Sequence, residues 1–258
     1  MLDAWLKQGN TSKKACCSVP PACFQVADIT QAGPAVISML SCFMHVLSVN
    51  TALPQDILWK GQHVRTSIFK QPVAGPVPVL AEHLAGDGQA DLRVHGGRDK
   101  AVYAYAHEHY AYWQPQLALP LEPGAFGENL TTTGLSEKQV RIGDYFQIGT
   151  AMLMAIQPRQ PCYKLGIRLQ DASVVGRFLV AGRSGIYFRV HQEGILQAGD
   201  TITLIQPSAH TVTVHDMAQV YTPGPHDPAK LEAIRSLPFL SASWHERVNR
   251  LLTEHTRR

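Results

Sequence analysis

From Met44 to about Ser208 the chain is cut into short runs rich in Val, Ile, Tyr and Phe, each bounded by Gly, Pro or Asp. Such runs pair as strands rather than coil into long helices. The candidates are 44–50, 63–69, 76–80, 101–105, 139–141, 144–148, 151–156, 186–191 and 200–205. Many short strands leave edge N–H and C=O groups unpaired unless the sheet curls back on itself. A closed or nearly closed β-structure is therefore expected. Two helices interrupt it. One covers 107–114 and sets Tyr110 and Trp113 three apart on one face, with His107 on the same side. The other covers 171–181, with Val174, Val175, Phe178 and Leu179 as an apolar stripe that reads as core packing.

Past Pro207 the pattern turns helical, over 214–220, 228–236 and 241–256. Asp227 is placed to cap the middle helix, with Pro228 at its first position. Ser241 or Ser243 can cap the last, turning Trp244, Val248 and Leu251 inward. This unit is too small to bury much surface alone, so it is expected to pack on the β-body or on a second copy of the chain.

Residues 1–43 have another character: turn-rich, without a clear period, and holding four of the five cysteines, Cys16, Cys17, Cys23 and Cys42. The apolar run over 35–49 is shorter than the roughly 20 residues a membrane span needs. Upstream Lys7, Lys13 and Lys14 are separated from it by polar sequence, which makes a poor signal peptide. The organisation expected is a poorly structured extension over 1–43, a β-rich domain over 44–208 and a helical extension over 209–258, with Met44 as the natural start. The fold class is α+β, mainly β, with a β-barrel-like body and a small C-terminal three-helix unit.

A chain of 258 residues allows one large domain plus an appendage. Its formal charge of +3 is too small to point to a nucleic-acid polymer or a membrane surface. Cys162 is the single cysteine of the body, which favours a reducing compartment, the cytoplasm. Neither an HExxH nor a CxxC pattern occurs, so a zinc site has no support.

The segment Gln157-Pro158-Arg159-Gln160-Pro161-Cys162-Tyr163-Lys164-Leu165 carries the densest chemistry. Positive charge at Arg159 and Lys164 favours the thiolate of Cys162, and two prolines stiffen its approach. Such a thiolate suits a nucleophile or a soft metal ligand; the alternative is a buried structural cysteine. His95-Gly96-Gly97 allows close backbone approach to an anion, or forms a tight turn. Asn129, in Phe126-Gly127-Glu128-Asn129-Leu130-Thr131, offers a donor and an acceptor for a heterocycle edge, or adopts a left-handed turn. Arg65, Thr66, Ser67 and Lys70 would suit a phosphate, or form the polar face of a strand.

Taken together and in order, these segments resemble a MOSC domain, the family named after the C-terminal domain of molybdenum-cofactor sulfurases. The resemblance rests on His95-Gly96-Gly97 with Asp99-Lys100-Ala101, Phe126-Gly127-Glu128-Asn129-Leu130, Gly143-Asp144, Gln157-Pro158-Arg159 and Pro161-Cys162-Tyr163-Lys164-Leu165. The tail from about 210 resembles the three-helix extension of bacterial YiiM-type members. The resemblance implies molybdenum cofactor (Mo-molybdopterin), with Cys162 as catalytic residue and thiolate ligand to the metal. It makes Arg65, Thr66, Ser67 and Lys70 candidates for the phosphate end. His95, Gly96, Gly97, Asn129 and Arg159 become candidates for the pterin and the metal's oxo region, and Lys164 is a further cofactor-binding candidate. At family level it also implies pyridoxal phosphate binding. The reaction implied is reduction of small N-hydroxylated compounds, such as hydroxylaminopurine bases, with electrons from a separate flavoprotein reductase. The alternative is a carrier of sulfur, as a Cys162 persulfide, or of cofactor. Expressed from its own ribosome-binding site, the protein should give an intact mass that starts at Met44; a species starting at Met1 contradicts this.

Overall fold

The computed structural model describes residues 44–91 and 96–256. The readings made for residues 1–43 and for His95 therefore lie outside the described residues. Twelve strands are formed among the rest: β1 (His45–Thr51), β2 (Gln55–Trp59), β3 (Gln62–Thr66), β4 (Gln71–Val73), β5 (Val77–Val79), β6 (Val102–Ala106), β7 (Leu130–Thr133), β8 (Tyr145–Ile148), β9 (Ala151–Pro158), β10 (Ile186–Gln192), β11 (Gly194–Leu196) and β12 (Ile202–Gln206). Eight of them make one mixed sheet in the order β12-β8-β9-β10-β6-β7-β1-β4. Its neighbours are antiparallel except β6 and β7, which run parallel. β2 and β3 form a hairpin, and β5 pairs with β11.

The sheet curls but is not closed into a barrel, a correction to the barrel-like expectation. β1 explains why. Val49 to Thr51 pair with β4, whereas the start of β1 reaches the run into β12 through the His45–Thr201 bridge. There Val46 N–H donates to Asp200 O at 3.0 Å, and Ile202 N–H donates to Met44 O at 2.8 Å. The strand is too short to zip both edges together. β4 has only three residues, and its Pro72 lacks the N–H that would extend pairing.

Other boundaries moved for identifiable reasons. The run 63–69 leaves the ladder after Thr66, because Thr66 Oγ1 accepts the Ile68 N–H at 3.2 Å and turns the backbone. Residues 139–141 supply only the isolated Arg141–Thr213 bridge instead of a strand. β7 starts within the segment read as a turn motif, at Leu130 and Thr131, and runs on to Thr133.

Six α-helices occur among the described residues: α1 (Glu108–Trp113), α2 (Tyr163–Arg168), α3 (Val174–Val180), α4 (Val214–Gln219), α5 (Pro228–Arg235) and α6 (Ala242–Thr256). None is long and apolar enough to cross a membrane. α4 packs on β9, which explains why β9 is buried along nearly its whole length. Asp227 caps α5 through the Ala229 N–H, with Pro228 at the first position as the sequence indicates.

Trp244, Val248 and Leu251 of α6 enter the same apolar core as β8, β9 and β10. Trp244 also donates from Nε1 to Gln157 Oε1 at 2.7 Å, so the C-terminal helix is fastened to β9 by packing and by a buried hydrogen bond. A second core, built on Tyr103, Tyr105, Trp113, Phe126, Leu165 and Phe178, lies where β6 meets α1, α2 and α3. Trp244→Ala should destabilise the protein by about 3–5 kcal/mol in urea unfolding, since it leaves a large cavity at the joint; a loss below about 1 kcal/mol would show that α6 is a loose appendage.

Candidate functional site

The ends of β3 and β9, the strands β6 and β10, and the start of α2 converge on one cleft. Counting the space at its open mouth, it spans about 600 Å³. Cys162, half-buried, stands immediately before α2, and Lys164 is the second residue of that helix. Arg159 enters from the end of β9, Tyr103 from β6 and Tyr187 from β10. Thr66, Ser67 and Lys70 line the same cleft, as does the loop Asp87 to Asp91.

The wall between β6 and β7 is built by a buried carboxylate. Glu128 is fully buried. Its oxygens accept the Gly124 N–H at 2.9 Å, the Phe126 N–H at 3.0 Å and Thr131 Oγ1 at 2.9 Å, with the Tyr110 hydroxyl as fourth donor. Burial pushes the Glu128 pKa up while these donors oppose the shift. The network folds residues 124–128 into a tight loop. Gly127 is obligatory there, because its φ is +72° and an added Cβ would meet Ile68 Cγ1 at 2.8 Å.

Asn129 follows directly and lines the cleft. Its Oδ1 accepts the Tyr103 N–H at 3.0 Å, and its Nδ2 donates to Asp87 Oδ2 at 2.8 Å and to Asn50 O at 3.4 Å. Both amide hydrogens are thus committed within the protein, which leaves one Oδ1 lone pair for a ligand. The residue expected to read a heterocycle edge chiefly braces the wall.

Arg159 is 8% exposed. It donates to Phe126 O and lies over the Tyr103 ring at 4.8 Å. Burial works against its charge, but Tyr103, Tyr187 and Cys162 outweigh burial and hold its pKa above the ordinary arginine value. Among the described residues no carboxylate forms an ion pair with it. Lys164 Nζ donates to Arg65 O at 2.9 Å and so ties α2 to the β2–β3 hairpin. Ser67 Oγ is buried and has no hydrogen-bond partner among the described residues.

The structure thus brings together Cys162, Thr66, Ser67, Lys70, Asn129, Arg159 and Lys164. Arg65 is not among the lining residues: its side chain is more than half exposed and pairs with Asp56 at 2.7 Å. In β3 alternate residues face opposite sides, so Arg65 and the buried Thr66 cannot share a site. Gly96 and Gly97 also lie outside the lining; Gly97, at φ +89°, leads into the 3-10 turn Arg98–Lys100, which delivers Lys100 to the cleft instead. Sequence reasoning missed Asp87, Lys100, Tyr103 and Tyr187. The two tyrosines lie on β-strands, where aromatic residues read as core. Asp87, between Gly86 and Gly88, reads as a turn residue.

The family model for the MOSC domain matches residues 91–203. The chain is 39% identical over 199 residues to "Uncharacterized protein YflK" of Bacillus subtilis, covering 77% of this chain and 90% of that protein. The crystal structure of YiiM from Geobacillus stearothermophilus superposes with a TM-score of 0.67 at 35% identity, covering 81% of this chain and 99% of that one. A protein named "Reductase" from Gibberella moniliformis is 38% identical over 152 residues, which are 57% of this chain and only 27% of that protein. Glu128→Gln, which turns an amide group toward four donors, should cost about 1–3 kcal/mol in urea unfolding; an unchanged midpoint would show that the carboxylate does not hold the loop.

Proposed function

The chain belongs to the MOSC domain family and is YiiM-like, and on that premise we propose that its cleft binds molybdenum cofactor and reduces N-hydroxylated compounds, such as hydroxylaminopurine bases, to amines. The observation that carries this reading is Arg159, a buried guanidinium with no carboxylate partner among the described residues, in the same cleft as Cys162. A buried charge is costly unless compensated, so this position favours an anion. The naming of one partial relative as a reductase supports the reaction type.

The residues present fit the cofactor. Cys162 would supply one sulfur ligand to the metal, whose other ligands would come from the cofactor or solvent. Thr66 and the unpartnered hydroxyl of Ser67, with Lys164 close in the fold, form a set of donors for a phosphate. Arg159 and the remaining Asn129 lone pair would serve the pterin and the metal's oxo region. Pyridoxal phosphate fits less well, since Lys70 is engaged by Asp87, Lys164 by the Arg65 carbonyl, and Lys100 sits beside Asp99.

When bound, the cofactor supplies two-electron chemistry at the N–O bond. The chain's own groups bind the substrate, hold it against the metal-ligand side of the cleft and neutralise developing negative charge. Arg159 and Lys164 serve the last role, because fixed cations in a partly dry site stabilise charge without reorganising. Electrons come from a separate flavoprotein reductase.

Expressed in a host that makes the cofactor, the wild type should copurify with close to one molybdenum per chain and reduce hydroxylaminopurine. Cys162→Ser should lose the activity, and most of the metal, while unfolding at the wild-type midpoint. Full turnover in the Ser variant would sink the ligand assignment. A Cys162 persulfide in metal-free wild type would instead identify a sulfur carrier.

A further inference from the structure

Reducing an N-hydroxyl group consumes two protons for every N–O bond broken, and one side chain of the cleft is built to hand over one of them. Lys70 lines the cleft and is 7% exposed. Its ammonium carries three N–H donors. Asp87 Oδ1 takes one, and among the described residues no other hydrogen-bond acceptor engages it. Asp87 is itself held on two further sides: Oδ1 accepts the Ala52 N–H at 2.9 Å, and Oδ2 accepts from Asn129 Nδ2 at 2.8 Å.

A buried ion pair adds little net stability, because desolvation offsets the attraction. Its location in the wall of a cleft calls for another account. A phosphate ligand is a poor one, since Asp87 already cancels the Lys70 charge and would repel an anion. Burial lowers the pKa of Lys70; Asp87 opposes this, Arg159 adds to it, and Glu128 opposes it, with the balance downward. Asp91, Lys100, Lys164 and Cys162 are the other charged or titratable groups with Tyr103 and Tyr187 around the same cleft. An ammonium so placed gives up its proton more readily than a surface lysine.

We infer that Lys70 is the general acid of the reaction, protonating the hydroxyl oxygen of R–NH–OH as the N–O bond breaks, and that Asp87 positions it. The inference rests on the reductase reading above. In balance, R–NH–OH takes two electrons from the external flavoprotein and two protons, and yields R–NH2 and water. The N–O bond breaks, the oxygen leaves as water with the Lys70 proton, the nitrogen takes its second proton from solvent, and solvent reprotonates the Lys70 amine.

Lys70→Arg separates charge from proton donation, because a guanidinium keeps the ion pair with Asp87 but does not release its proton at working pH. The variant should load metal to the wild-type level, bind the amine product within about threefold of wild type, and turn over about 100-fold more slowly or worse. Turnover within about threefold of wild type, at equal metal content, overturns the assignment. A second measurement needs neither a variant that folds nor bound cofactor. In the metal-free wild type, the 13C signal of the buried lysine Cε should titrate at lower pH than the surface lysines, and titration together with them overturns the assignment. Should the wild type bind no molybdenum and reduce nothing, the reductase reading fails on its own terms, whatever Lys70 does in either experiment.

Discussion

The cleft and the sheet both depend on how Asn129 is anchored. Its backbone N–H donates to Tyr103 O at 2.8 Å and its carbonyl accepts the Asn50 N–H at 2.7 Å, so the main chain alone bridges β6 and β1. Its side chain then adds bonds to Tyr103 N–H, Asn50 O and Asp87. This stitching starts the one parallel pairing of the large sheet, β6 with β7. Parallel neighbours need a crossover connection, here residues 107–129 with α1. The crossover must return to the sheet at a fixed register, and the four donors gathered by Glu128 fix it. A polar cluster this deeply buried is tolerable only because its members are paired. The same cluster that sets the register therefore also shapes the wall of the cleft.

How much of this was legible differs from residue to residue. Cys162, Arg159 and Lys164 could be found because they are contiguous: three chemical groups within six positions need no knowledge of topology to be brought together. Eight of the nine expected strands and the three terminal helices were legible from periodicity, and Asp227 from local capping chemistry, whereas the short β2, β4 and β11 and the six-residue α2 were not. β7 was not, because Leu130-Thr131-Thr132-Thr133 has no alternation, and it is buried as an inner strand whose threonines satisfy themselves within the protein. Closure of the sheet failed for a reason no local pattern shows, since β1 divides its pairing between β4 and the run into β12. Arg65 is a different case. Strand alternation alone places it opposite Thr66, and grouping the two by adjacency overrode a rule the sequence already contained. Asp87 was hidden between two glycines, and only the fold reveals that its partners are Lys70 and Asn129.

The charges around the cleft sort into two kinds. Lys70 is neutralised from inside the protein by Asp87, and Lys164 has its ammonium fastened to the Arg65 carbonyl, so its position is inherited from the β2–β3 hairpin. That hairpin carries its own exposed pair, Arg65 with Asp56, which contributes little to stability and leaves the backbone carbonyl free to orient Lys164. Arg159 is the exception. It is buried, pinned between Phe126 O and the Tyr103 ring, and lacks a carboxylate among the described residues.

Two unit charges about 4 Å apart interact by about 4 kcal/mol at an effective dielectric constant of about 20, and far less in water. An anion entering beside Arg159 therefore gains more than one meeting a surface arginine, provided it reaches the guanidinium without displacing Phe126 O. Cys162 lines the same cleft and is among the groups that raise the Arg159 pKa, so as a thiolate it can supply part of that charge. A thiolate carries a single charge and cannot at the same time satisfy the planar fork of a guanidinium and the donors at Ser67 and Thr66 in the same cleft. A larger anion with several acceptor atoms can meet the guanidinium and the hydroxyls together.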